Sequence, residues 1–127
     1  MSWQFNQREP VFLQIANRLR GDILRGEYDP HEQFPSVRQL AAIASVNPNT
    51  MQKALAYLEE EGILYTKGTV GRFVTVDEAT LSASREKMRY DFARKVIEES
   101  LSVGLNADDL IKYIKEVEKN EHTGTGM

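Results

Sequence analysis

Apolar residues recur at intervals of three and four through the first half of this chain, and that spacing breaks once before it resumes. Phe12, Ile15, Leu19, Ile23 and Leu24 share one face of a helix expected from Pro10 to Arg25, with Gly26 just past its end. Val37, Leu40, Ala41 and Ala44 mark the buried side of a second helix, from Val37 to about Ala44. Met51, Ala54, Leu55 and Leu58 form the i, i+3, i+4, i+7 stripe of a third, from Pro48 to Glu61. After Gly62 the pattern changes. Ile63 to Lys67 and Arg72 to Val76 are rich in β-branched and aromatic residues and are joined by Gly68-Thr69-Val70-Gly71, which reads as a hairpin with a glycine-bounded tip.

Helical spacing then returns. A fourth helix is expected from about Thr80 to Val103, with Leu81, Met88, Phe92 and Val96 on one side, Tyr90, Ala93, Ile97 and Leu101 on an adjoining side, and Gly104 as its stop. A fifth follows Asn106 as N-cap and carries Leu110, Ile111, Ile114 and Val117 on its apolar face, with Leu105 and Leu110 spaced as a hydrophobic staple. The fold class is therefore mostly α with a small β-hairpin: an N-terminal winged helix-turn-helix over residues 1–76, a two-helix segment over 77–120 and a polar tail over 121–127. Two helices cannot bury this much apolar surface on each other, and helices of this kind need a packed partner. A second copy of the chain is the natural one, with Met88, Phe92, Val96, Ile111 and Ile114 as the dimer-forming positions.

Local start signals sharpen the middle of the chain. Ser36-Val37-Arg38-Gln39 has the form of a capping box, in which Ser accepts from the third helical N–H and Gln reaches back to the cap. Asn47-Pro48 is a second start, Asn as cap and Pro at the first helical position, where its missing N–H costs nothing. The turn between these two helices is very short.

Charge then decides what such a unit is for. The chain holds 16 Lys+Arg against 19 Asp+Glu, a formal net charge of -3, which on composition alone argues against a polyanion as partner. The distribution reverses that inference. No carboxylate occurs between Glu32 and Glu59 or between Glu61 and Asp77, while Arg38, Lys53, Lys67 and Arg72 lie in those windows. Opposite the apolar stripe of the third helix stand Asn49, Lys53 and Ala56, flanked by Thr50 and Gln52, side chains suited to base edges and phosphates. Glu59-Glu60-Glu61 comes late in that helix and is free to point away from DNA, because the first turns of a recognition helix meet the bases.

Other chemistries lack their residues. With no Cys, two His far apart, no phosphate-binding Gly-Lys motif and no paired carboxylates in an apolar setting, there is nothing to serve as nucleophile or base, so no enzyme and no cofactor is expected. His31 beside Asp29 and Glu32 reads as a turn histidine rather than a metal ligand. The absence of Cys, of a membrane-length apolar run and of a basic leader fits a soluble cytoplasmic protein with no membrane partner.

From Pro10 to about Val76 the chain resembles the GntR family of bacterial transcription regulators. The resemblance is carried by Pro10-Val11-Phe12-Leu13-Gln14-Ile15, Phe34-Pro35-Ser36-Val37-Arg38-Gln39-Leu40-Ala41, Val46 to Ala54, Leu58-Glu59-Glu60-Glu61-Gly62 and the glycine-bounded hairpin. The short two-helix C-terminus is similar to that of the YtrA-like subgroup. The resemblance implies a homodimer on a palindromic double-stranded DNA operator. It also implies DNA contacts by Arg38, Asn49 and Thr50, and a wing tip, Gly68 to Gly71, that enters the minor groove. Many members carry Arg at the positions of Pro48 and Gln52, so base readout here should differ from theirs.

The candidate DNA-contacting set is Ser36, Arg38, Asn47, Pro48, Asn49, Thr50, Gln52, Lys53, Lys67, Gly68, Thr69, Val70, Gly71 and Arg72. Arg72 admits two roles, tracking phosphate or keeping the wing soluble. Tyr57, Tyr65 and Phe73 are expected in the core rather than as base-stacking platforms. The function expected is that of a sequence-specific transcription regulator, a repressor. The alternative is a winged-helix module for protein or RNA; a protein-binding face would show aromatic or aliphatic anchors where the third helix shows amides and Lys. The small-molecule effector, if there is one, is unknown, and two helices leave no room for a buried effector pocket within one chain.

Overall fold

A computed structural model of the chain describes residues 3–125. Five helices and one hairpin follow in the order α1 (Val11–Leu24), α2 (Val37–Ala44), α3 (Pro48–Glu60), β1 (Leu64–Lys67), β2 (Gly71–Val74), α4 (Glu78–Ser102) and α5 (Ala107–Thr125). The chain divides into two compact units, Met1–Arg85 and Glu86–Met127.

In the first unit the helical stripes meet as their spacing requires. Ile15, Leu19, Ile23 and Leu24 of α1, Leu40, Ala41 and Ala44 of α2, and Met51, Ala54, Leu55 and Leu58 of α3 are all buried, and Ile63, Leu64, Val74 and Leu81 close the core from the hairpin side and from α4. Truncating one such side chain, Leu55 for instance, is expected to cost about 2–5 kcal/mol. Phe12 and Val37 are only half-buried. Phe12 meets Tyr57 edge-on, ring centres 6.1 Å apart.

Both expected start signals form. Ser36 Oγ accepts from Gln39 N at 3.1 Å and Gln39 Oε1 accepts from Ser36 N at 2.9 Å, so the capping box is complete. Asn47 Oδ1 accepts from Asn49 N at 2.7 Å, with Pro48 as the first helical residue. The stops share one geometry as well. At the ends of α1, α3 and α4 a glycine of positive φ (Gly26, Gly62, Gly104) carries the crossed backbone bonds of a Schellman turn. At the end of α2 the same turn, Val46 N to Ala41 O at 3.1 Å, is made with Ser45 at φ 58.

The hairpin is shorter than expected and has a third participant. Leu64, Tyr65, Thr66 and Lys67 oppose Val74, Phe73, Arg72 and Gly71, so Gly71 belongs to β2 and Ile63, Thr75 and Val76 lie outside the ladder. On the far side of β2 runs the segment expected to be only a connecting turn. Phe34 N donates to Arg72 O at 2.8 Å, Val74 N to Glu32 O at 2.9 Å and His31 N to Val74 O at 2.8 Å, with a bridge between Gln33 and Phe73. Pairing this flank supplies hydrogen bonds that a two-stranded hairpin lacks, which matters because such a hairpin is marginal on its own.

Helix α4 begins at Glu78, and its first turns belong to the first unit: Leu81 is buried and Arg85 Nε donates to Leu24 O at 3.0 Å. The compact N-terminal unit thus extends to Arg85 rather than stopping at residue 76. In the second unit Asn106 caps α5 by accepting from Asp109 N at 2.9 Å. Helix α5 continues to Thr125, past the polar tail expected from residue 121, because extending a formed helix adds a backbone bond for each residue ordered without a new nucleation cost. Residues 126 and 127 of that tail lie outside the described residues.

Candidate nucleic-acid interface

α2, α3 and the hairpin border an open groove of about 800 Å³. Its walls include Ser36, Val37, Gln39 and Ile43 from α2 and its cap, Gln52 from α3, and Thr66, Val70, Gly71 and Arg72 from the wing. None of the lining residues is a carboxylate. The floor and wing tip are held by Gln33, whose Nε2 donates to Val70 O at 3.0 Å. A Cβ on Gly71 would meet that same nitrogen at 3.1 Å, and Gly71 sits at φ 136, so glycine is required there on both counts.

The sequence candidates fall into distinct groups around this groove. Arg38, Pro48, Asn49, Gln52, Lys53, Lys67, Thr69 and Val70 are exposed, and Thr50 is half-buried. Arg38 makes no hydrogen bond, salt bridge or ring contact among the described residues. Its guanidinium is therefore uncommitted. Ser36 and Asn47 are also exposed, but their side-chain oxygens are engaged as helix caps. The Lys53 ammonium rests over the ring of Phe12, and that of Lys67 lies 5.8 Å from the Phe73 ring centre.

Arg72 is placed otherwise. Its Nε donates to Glu59 Oε1 in a close ion pair, and its side chain is only 17% exposed. Glu59 therefore turns toward the wing, not away from the recognition surface, and Arg72 is engaged with a carboxylate and not exposed on the wing. Glu61 is matched on the other side, its Oε1 lying 2.7 Å from Arg20 on α1. Two of the acids that end α3 are thus neutralised by partners distant in sequence.

The aromatic residues pack on one another. Tyr65 and Phe73 stack across the ladder at 5.7 Å, and His31 stacks on Phe73 at 6.0 Å with its Nδ1 2.8 Å from the Tyr65 hydroxyl. His31 is thereby a wing residue, and among the described residues no cluster of ligating side chains suited to a metal ion occurs.

Gln33, Gln39 and Ile43 belong to the groove but were not singled out by sequence reasoning. Gln33 carried a signal, since it lies within the acid-free window next to Phe34. Its part in the wing depends on a pairing across more than thirty residues.

An uncommitted arginine on α2, an amide-rich α3 and a braced hairpin around a carboxylate-free groove define a winged helix-turn-helix DNA-binding protein. The chain belongs to the GntR family: residues 12–74 match the model of the bacterial regulatory proteins, gntR family. It is 32% identical over 109 residues to the HTH-type transcriptional repressor YtrA of Bacillus subtilis, covering 85% of this chain and 84% of that one. A GntR family transcriptional regulator from Listeria monocytogenes has the same structure with a TM-score of 0.80 and 30% identity, over 88% of this chain and 98% of that one. The fold also recurs in the AraR DNA-binding domain solved in complex with operator ORX1, at a TM-score of 0.54 and 23% identity, over 59% of this chain and 93% of that one. The protein is a transcription regulator. Among the described residues no helix is long and apolar enough to cross a membrane.

Proposed function

We propose that this chain is a cytoplasmic repressor that binds a palindromic DNA operator as a homodimer. The observation that carries the reading is the groove: Arg38 and Gln52 flank a carboxylate-free channel whose far wall is the wing. Asn49, Thr50, Gln52 and Lys53 then face base edges in the major groove, Arg38 and Lys67 face phosphates, and the tip Gly68-Thr69-Val70-Gly71 reaches the adjacent minor groove. Ser36, Asn47 and Pro48 position the two helices that meet the DNA.

Dimerisation is supported by the second unit. Phe92 is 69% exposed, Ile111 50% and Ile114 51%, and Met88 and Val96 are only half-buried, which leaves an apolar face for a second copy. Two recognition helices related by a two-fold axis fit inverted half-sites about 10–10.5 bp apart.

Selection of duplex fragments by the purified protein, followed by sequencing, tests this directly. An inverted repeat is expected, with affinity falling as log K against log[salt] at a slope of about −3.6 for four phosphate contacts. Selected sites without two-fold symmetry, a flat salt response, or equal binding to duplex RNA would count against the proposal.

A further inference from the structure

Glu59 joins the recognition helix to both strands of the wing. Its Oε1 accepts from Arg72 Nε and its Oε2 accepts from Thr66 Oγ1 at 2.9 Å. Thr66 and Arg72 are directly opposed in the β1–β2 ladder, so a single carboxylate clamps one cross-strand pair. Glu59 stands in the last turn of α3, the helix whose first turns carry Asn49, Gln52 and Lys53. Side-chain exposure of 17% for Arg72 and 28% for Glu59 screens the pair from solvent more than an ordinary surface ion pair. Charge-assisted bonds at both oxygens also restrict the direction of the carboxylate.

We infer that Glu59 is a positioning residue for DNA recognition: it sets the wing relative to the recognition helix and withholds the Arg72 guanidinium from phosphate. Arg72 then serves the geometry of the site, while Arg38, Lys53 and Lys67 supply its cationic contacts. A wing tied in advance to α3 presents its tip and the recognition face in one fixed relation, so a site that matches both gains over one that matches either alone. This inference rests on the duplex-DNA reading above. Two of its measurements do not involve operator selection.

The substitution Glu59→Gln keeps the size of the side chain and removes its charge. In the DNA-free protein, amide hydrogen exchange over residues 64–74 is expected to become about tenfold faster, the scale of one charge-assisted hydrogen bond, with α1 and the first turns of α3 unchanged. With a random duplex, affinity should rise and the salt slope should steepen by about 0.9 for each Arg72 that newly reaches phosphate. Discrimination between the selected site and the random duplex should fall. Arg72→Gln should loosen the hairpin in the same way without steepening the salt slope, and Thr66→Val should give a smaller acceleration.

Unchanged hairpin exchange, acceleration spread over the whole of residues 3–85, or an unchanged salt slope in Glu59→Gln would overturn the inference. If the wild-type protein selects no duplex, the proposed function fails instead, and hairpin exchange still reports on the clamp.

Discussion

The Lys53 ammonium lies 4.2 Å from the centre of the Phe12 ring, so a cation of the recognition helix is docked on the first helix of the same unit. Phe12 in turn meets Tyr57, one helical turn further along α3. Lys53 thus contributes to packing while its charge remains exposed toward the solvent.

Lys53 and Arg38 should separate when each is replaced by Ala. Lys53→Ala is expected to lose about 0.5–1 kcal/mol of stability with the cation–π contact, together with some duplex affinity. Arg38→Ala is expected to leave the melting temperature unchanged and to weaken operator binding by about 1–3 kcal/mol if its guanidinium is bidentate to a base. Thermal melting and a binding titration on the same samples provide the comparison. Full affinity in Arg38→Ala at moderate salt would remove α2 from the contact set.

Ser45 ends α2 in a left-handed conformation that glycine adopts without a Cβ penalty. For an L-residue that conformation costs roughly 1–2 kcal/mol. Ser45→Gly recovers this at the expense of about 0.5–1 kcal/mol of added freedom in the unfolded chain. The net gain expected in denaturant unfolding is roughly 0.5–1 kcal/mol. A β-branched residue such as Val at the same position should destabilise; a neutral result for both would show that the turn relaxes in solution.

Asp77 should make the start of α4 sensitive to acid. Its Oδ2 accepts from Thr80 Oγ1 at 2.8 Å and its Oδ1 from Ala79 N at 3.1 Å. These bonds, the Thr80 hydroxyl first, hold its carboxyl below the usual aspartate value of 3.8. A depressed folded-state pKa means that the contribution is fully present above 3.8 and is lost as pH falls through the lower folded value. The stability difference between wild type and Asp77→Asn should therefore be constant near neutrality and shrink in strong acid. Unfolding curves for the two proteins across that range provide the check, and a difference that does not vary with pH would contradict the assignment.

Phe92→Glu and Ile114→Glu test assembly. Both side chains are exposed in a single chain, so neither change should unfold the N-terminal unit. At an interface an uncompensated charge would be buried at a cost of several kcal/mol, and sedimentation should report monomer or aggregate. An intact dimer for both variants would place the contact elsewhere.

Rules that act within a few residues were enough to locate the helices, their caps and the buried stripe of α3. Ser36 and Gln39 are three positions apart, and Met51, Ala54, Leu55 and Leu58 lie within two turns, so spacing alone puts each group on one face or in one cap. The exposed amides of α3 were legible for the same reason, as the complement of that stripe. Spacing gave no such information about partners. Glu59 meets Arg72 across 13 residues, Gln33 meets Val70 across 37, and Arg85 reaches Leu24 across 61. Which of these groups met depended on the path of the whole chain, and so the tertiary structure decided that Arg72 braces the wing, that residues 31–34 flank β2, and that the first unit keeps the opening turns of α4. Periodicity constrains a side chain's direction from its own helix or strand; its charge is matched only by whatever the folded chain brings alongside.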